Sequence, residues 1–246
     1  MTQNKIIHYC WFGGQSLPIE TLNYIETWKK YCPDYKIIQW NETNYKSDSK
    51  FVEKAMNEKK WAFVSDYARL EILYIYGGIY LDTDVELIKN LDELLMNDIY
   101  MGAEDKYSIN SGLGMGAKKG STQLKEIMNI YDSMELEDSF RYPTCVEITT
   151  QYLKKHGFID AKEIVKINGI TLFPTEYFCP QKPGSKTIKI TDNTYSIHHY
   201  TGSWKKEKGL IKEFNYRLIP IKKKLRRLLG DKRYNKILKK IKEVYK

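Results

Sequence analysis

Long apolar runs, clustered cysteines and a phosphate loop are all missing from this chain, and each gap narrows what it can be. Nowhere do about 18 uninterrupted apolar residues occur, the length that crosses a bilayer, and the opening MTQNKIIHYCWFGG has no apolar run after its charge. Neither a membrane span nor a signal peptide is therefore expected. The four cysteines, Cys10, Cys32, Cys145 and Cys179, have no metal-ligand spacing and suit a reducing cytoplasm. Gly13 and Gly14 lack the lysine and hydroxyl that would make a phosphate loop. Acidic residues are nearly lacking at one end: residues 217–246 hold 13 Lys/Arg against 2 Asp/Glu, while residues 1–216 hold 27 against 29. The net charge of +9 is thus a property of the tail. No nucleic-acid module accompanies that charge, so nucleic acid is not an expected partner.

What is present is enough apolar material, 42% of residues with 13% aromatic, to bury one substantial core. The spacing predicts a strand over residues 5–11, a turn at Phe12-Gly13-Gly14, a proline-started helix over 18–31 and a second strand over 36–40. That order begins a doubly wound α/β sheet. Residues 47–60 read as a surface helix, 85–88 as a strand and 90–95 as a short capped helix. Strands follow at 99–103 and 108–117, then helices at 121–134 and 144–156, then short strands at 164–167, 170–173 and 187–190. The run Asn110-Ser111-Gly112-Leu113-Gly114 points to close approach by a ligand or another backbone, with Asn110 either a turn residue or a ligand contact. Beyond residue 216 the apolar positions fall on one face of two basic amphipathic helices, parted at Gly230-Asp231. The chain is expected to divide into a catalytic domain over 1–216 and a basic helical tail over 217–246.

Residues 63–86, FVSDYARLEILYIYGGIYLDTDVE, organise the rest. Residues 62–76 are apolar on nearly every face, as in a core helix, broken only by Ser65, Asp66, Arg69 and Glu71. Asp66 and Arg69, spaced i, i+3, share a face and can orient one another or hold a hydroxylated ligand. Gly77-Gly78 stops the helix. Ile79-Tyr80-Leu81 then reads as a short buried strand delivering Asp82-Thr83-Asp84 to its carboxyl end, where open α/β sheets bind ligands. On an extended chain the two aspartates point to opposite sides, one to a divalent cation and one to another part of the ligand. Such chemistry suits a nucleoside diphosphate.

The pattern Ser65-Asp66-x-x-Arg69, Leu73-Tyr74, Gly77-Gly78, Tyr80, Asp82-x-Asp84 resembles the signature of glycosyltransferase family 32. That DXD sugar-binding group takes in capsular polysaccharide enzymes and fungal mannosyltransferases, and is related to the clostridial glucosylating toxins. The resemblance implies an α/β, GT-A Rossmann-like nucleotide-diphospho-sugar transferase fold, a UDP-sugar donor, Mn²⁺ (or Mg²⁺) and retention of anomeric configuration. It reaches the opening strand, where I-H-x-x-W-x-G sets His8, Trp11 and Gly13 at the nucleobase. Trp11 would stack on the base, worth roughly 1–3 kcal/mol; a core role for this tryptophan stays open. The resemblance also sets Tyr80 and Asn110 beside the donor. Finally, Ser196-Ile197-His198-His199-Tyr200-Thr201-Gly202-Ser203-Trp204 is similar to the family's His-His-x-x-x-Ser-Trp. By that likeness His199 closes a metal site with Asp84 and Asp82, while Ser203 and Trp204 reach the phosphates. Tyr142-Pro143-Thr144-Cys145 departs from the Gly-Pro seen there in relatives, so no acceptor-side residue is carried over, and Glu147 reads as a surface glutamate.

On this reading the cation held by Asp84 and His199 neutralises the leaving diphosphate, Asp82 binds ribose and sugar hydroxyls, and Asp66 with Arg69 orients the sugar. The expected acceptor is a glycan or lipid-linked glycan in surface polysaccharide synthesis. The tail is expected to pack on the catalytic domain with its basic face solvated, to dock on the anionic inner face of the membrane as a peripheral anchor at about 1 kcal/mol per Lys or Arg, or to do both. Two alternatives stand beside it. Residues 79–85 also fit a strand followed by D-x-D-x-[TV], as in a haloacid-dehalogenase-type phosphatase with Asp82 as nucleophile and Asp84 as acid. The other is a membrane-surface adaptor acting through its tail.

Overall fold

A computed structural model describes residues 4–137, 140–181 and 187–201, with 224–225, 228–230 and 233 of the tail. Two compact units are distinguished, residues 1–180 with 189–204, and residues 181–188 with 205–246. In the second unit the described tail residues are helical, and residues 181 and 188 form an isolated antiparallel bridge. The predicted strand over 187–190 does not otherwise form: its residues are exposed, with no face to bury.

The first unit opens with β1 (Ile6–Cys10), α1 (Ile19–Tyr31) and β2 (Lys36–Trp40), the strand, helix, strand order expected. Then come α2 (Lys50–Asn57), α3 (Trp61–Tyr76), β3 (Gly78–Tyr80), β4 (Val85–Leu87) and a 3-10 turn at Asp92–Met96. A long hairpin, β5 (Ile99–Asp105) and β6 (Ser108–Ala117), precedes α4 (Thr122–Asp132) and α5 (Cys145–Lys155). The remainder is β7 (Val165–Ile167), β8 (Ile170–Phe173), α6 (Thr175–Phe178) and β9 (Ser196–His198). The α6 turn was not legible in the sequence; Pro174 starts it and Phe178 buries it.

Seven strands form one mixed sheet in the order β2-β1-β3-β6-β5-β8-β7. β1 is parallel to both β2 and β3, and β5 to β8, while β6 runs antiparallel to its neighbours β3 and β5. Adjacent strand residues face opposite sides, so Ile79 joins a core with Ile7, Trp28 and Leu113, while Tyr80 joins another with Phe51, Leu70 and Met115. α3 lies in the second core, which is why its sequence is apolar on most faces. It ends at Gly77, whose φ of +66° favours glycine and whose N–H donates to Leu73 O at 2.8 Å. β4 joins no strand of the main sheet. It pairs antiparallel with β9, with Val85 opposite His198, and this ribbon is the structural basis of the site.

Candidate active site

Leu81 N–H donates to His8 O at 3.0 Å, so β1 and β3 still run together where Asp82 leaves the sheet. The chain then turns: Val85 N–H donates to Asp82 O at 3.1 Å. This corrects the expectation of an extended Asp-Thr-Asp with opposed carboxylates. The turn brings both to one place, and Asp82, Asp84 and His198 each present a ligand atom within 4.8 Å of one another.

Arg69 knits α3 to this cluster. Its Nη2 lies 3.0 Å from Asp66 Oδ1 and 3.1 Å from Asp82 Oδ1, its Nε donates to Ser65 O, and its guanidinium covers the Tyr80 ring. Burial opposes the guanidinium charge, but Asp82 heads the neighbours that hold it. Asp66 also accepts from Cys145 N–H at 3.0 Å, so the first amide of α5 is docked on the same carboxylate. Burial pushes the Asp66 carboxyl up, against the pull of Arg69. Tyr80 donates to Asp82 Oδ1 at 3.2 Å from a fully buried ring.

The histidine pair divides. His198, on β9 and buried, sets Nε2 3.1 Å from Asp84 Oδ1. His199, expected to close the cluster, faces elsewhere: its Nε2 meets Glu86 Oε2 at 2.8 Å and its ring stacks on Tyr24 of α1. Adjacent side chains of a strand point to opposite faces, so the two imidazoles part: His198 meets Asp84, which lies in the turn before β4, and His199 meets Glu86 of β4. Thr201 gives both its N–H and its hydroxyl to Asp84 Oδ2. Burial raises the Asp84 carboxyl, but His198 and Thr201 outweigh it and hold it below the usual carboxylate range. Burial likewise works against His198, and Asp84 beside it keeps the imidazole's pKa raised.

These residues fit a divalent cation. The two carboxylates suit Mn²⁺ or Mg²⁺, and the imidazole favours Mn²⁺, the softer of the two. The 3.1 Å between Asp84 Oδ1 and His198 Nε2 matches neighbouring ligands on an octahedral ion, which stand about 3 Å apart for bonds of about 2.1 Å. His198 Nδ1 is buried with no hydrogen-bond partner among the described residues.

Other expected residues are placed differently. His8 is fully buried, its Nε2 on Gly77 O at 3.0 Å and its Nδ1 accepting from Trp40 Nε1 at 3.1 Å, so its ring is part of the core and not of a nucleotide pocket. Trp11 is half-buried past the end of β1, its indole donating to Gln15 O. Gly13, at φ +99°, packs against Trp61. Asn110 is buried, its Oδ1 accepting from Gly112 N–H and lying 3.6 Å from Cys145 Sγ. Glu147 closes a capping box with Thr144 and pairs with Arg141, a helix-start role. Ser203 and Trp204 lie outside the described residues. Cys145, Thr201 and Glu104, which adds to the field on His198, were missed; only the T-x-x-E capping pattern could have flagged the start of α5.

Residues 18–101 match the family of the glycosyltransferase sugar-binding region containing a DXD motif. An uncharacterized glycosyltransferase, L373 of Acanthamoeba polyphaga mimivirus, is 34% identical over 204 residues, 78% of this chain and 71% of the relative. Inositol phosphoceramide mannosyltransferase 3 of Schizosaccharomyces pombe is 28% identical over 160 residues, 59% of this chain and 42% of the relative. Among solved structures, the PaToxG glycosyltransferase superposes with a TM-score of 0.52 at 18% identity, over 63% of this chain and 70% of that one, a likeness of fold. The fold is the α/β GT-A type, and the phosphatase and adaptor readings give way. With a DXD pair, an Asp66-Arg69-Asp82 array and a relative matched over most of both chains, this protein belongs to the DXD-containing, family 32-like glycosyltransferases.

Proposed function

We propose that this glycosyltransferase moves a hexose from a UDP-sugar, with retention, to a glycan or lipid-linked glycan acceptor, using Mn²⁺ or Mg²⁺ at Asp82, Asp84 and His198. One observation carries the metal dependence: the three ligand atoms converge within 4.8 Å in surroundings rich in acid. Glu86 lies on the same ribbon, and Arg69 is already engaged by Asp66 and Asp82. A diphosphate meets net negative charge there unless a cation comes with it. That cation would supply positive charge to the departing diphosphate as the sugar–phosphate bond breaks.

The chain's own residues do the rest. Asp84, fixed by Thr201, and His198 hold the ligand atoms in place. Arg69 and Asp66 form a rigid wall for the sugar, because each is tied to α5 or to Asp82 before any donor arrives. Asp66 and Asp82 lie on Arg69, and Asp84 on His198 and Thr201, which favours roles in orientation and metal binding over nucleophilic attack. Attack is therefore on the face the diphosphate leaves, its departing oxygen taking the acceptor's proton. The fission-yeast relative's name pairs a mannosyl group with inositol phosphoceramide. GDP-mannose with a lipid acceptor is accordingly the second donor reading. Residues 217–246 would hold the enzyme at the inner membrane face, a cytoplasmic placement that suits capsule synthesis.

Thermal melts with UDP- and GDP-sugars, with and without Mn²⁺, test the donor, since a ligand of the native state raises the midpoint by mass action. A UDP-sugar shift that needs Mn²⁺ supports the reading. Absence of any sugar-nucleotide shift, or product of inverted anomeric configuration by NMR, sinks it.

A further inference from the structure

We propose that Thr201 fixes Asp84 as a one-oxygen ligand and thereby biases the centre toward small octahedral ions and against Ca²⁺; the inference rests on the metal-dependent reading above. Asp84 Oδ2 accepts from Thr201 N–H at 2.9 Å and from the Thr201 hydroxyl at 3.2 Å. Its other oxygen, Oδ1, is the one that faces His198 Nε2. Thr201 acts through Asp84 and is a positioning residue.

The backbone is arranged to deliver it. His199 N–H donates to Asp84 O at 3.0 Å, and the next residue, Tyr200, takes φ +52°. That left-handed conformation is disfavoured for an aromatic residue and persists only where the surroundings over-determine it. They do so here: the Tyr200 hydroxyl meets Cys179 Sγ at 2.8 Å, and its ring stands edge-on to His198 with centroids 4.2 Å apart. The sharp turn is what returns Thr201 to a carboxylate 117 positions earlier.

The consequence concerns denticity. Ca²⁺ takes 6–8 oxygens at about 2.3–2.6 Å and readily uses both oxygens of one carboxylate, whereas Mg²⁺-like ions keep a tight octahedron of single oxygens at about 2.0–2.1 Å. An ion that takes both oxygens of Asp84 competes for a lone pair of Oδ2 that the Thr201 N–H and hydroxyl already occupy. One that takes Oδ1 alone leaves both hydrogen bonds in place.

The full chain without donor is titrated with Mn²⁺, following the free ion by electron paramagnetic resonance, and Ca²⁺ is then added as competitor. Thr201→Val keeps the shape and the N–H but removes the hydroxyl, and Thr201→Ser restores it. The expected result is a Mn²⁺ dissociation constant raised about tenfold in Thr201→Val, the scale of losing an outer partner of a metal ligand. Ca²⁺ is expected to compete better there than in the wild type, Thr201→Ser to return to the wild-type pattern, and metal-free melts of all three to coincide. Wild-type Mn²⁺ affinity in Thr201→Val, or an equal loss for both ions, overturns the role of Thr201 alone. Wild-type protein that takes up no Mn²⁺ overturns the metal reading as well. A wild-type preference for Ca²⁺ overturns the proposal without any variant.

Discussion

At the scale of single residues, one missing methyl decides whether Asp82 and Arg69 can meet. A Cβ on Gly112 would stand 2.0 Å from Asp82 Oδ2 and 2.7 Å from Arg69 Nη1, so glycine is needed for space and not for a special dihedral. Gly112→Ala is expected to lower kcat by about 100-fold, the effect of roughly 1 Å of misplacement, and to destabilise by about 1–3 kcal/mol through overpacking. Steady-state kinetics beside urea melts check both. The glycine run announced a close approach in the sequence, but its partners were illegible because they arrive from α3 and from the turn after β3. His8 shows the same limit, since a family pattern marked its position while only the fold reveals that both ring nitrogens are taken. Burial drives its pKa down to about 4 from the usual 6.5. The unfolded chain therefore binds the proton first as pH falls, and stability drops between pH 6.5 and 4 by about 3 kcal/mol from this group. In His8→Gln that component is expected to vanish, seen as a shallower decline of urea-melt free energy over the same range.

At the scale of elements, helices and strands were legible because apolar periodicity reports which face is buried. Their pairing was not. Residues 85–88 read as a strand, yet nothing local says that β4 leaves the main sheet for β9, or that His198 and not His199 meets the carboxylate in the turn before it. α1 anchors the ribbon: Trp28 Nε1 donates to Val85 O at 2.8 Å and Leu87 N–H to Thr27 Oγ1 at 2.9 Å. Trp28→Phe leaves a buried carbonyl unpaired, so a loss of about 1–3 kcal/mol is expected. Since Val85 adjoins Asp84, weaker Mn²⁺ uptake should accompany it, read by calorimetric titration.

At the scale of the whole molecule, charge and chemistry occupy different ends of the chain, and composition alone showed it. Every described group of the cluster lies before residue 202, whereas the excess of lysine and arginine lies after 216. A chain lacking residues 217–246 is expected to keep metal-dependent donor hydrolysis and to lose binding to anionic vesicles, measured by nucleotide release and co-sedimentation. The ribbon between β4 and β9 has one more consequence, for how the protein is made. Thr201 follows Asp84 by 117 positions, so at about 5–20 residues per second a ribosome needs roughly 6–23 s between them. During that interval a nascent chain already exposes both aspartates while the imidazole and hydroxyl that complete their surroundings are still unsynthesised. Maturation of the site is in this sense a late event, closed by the last of the described strands to emerge.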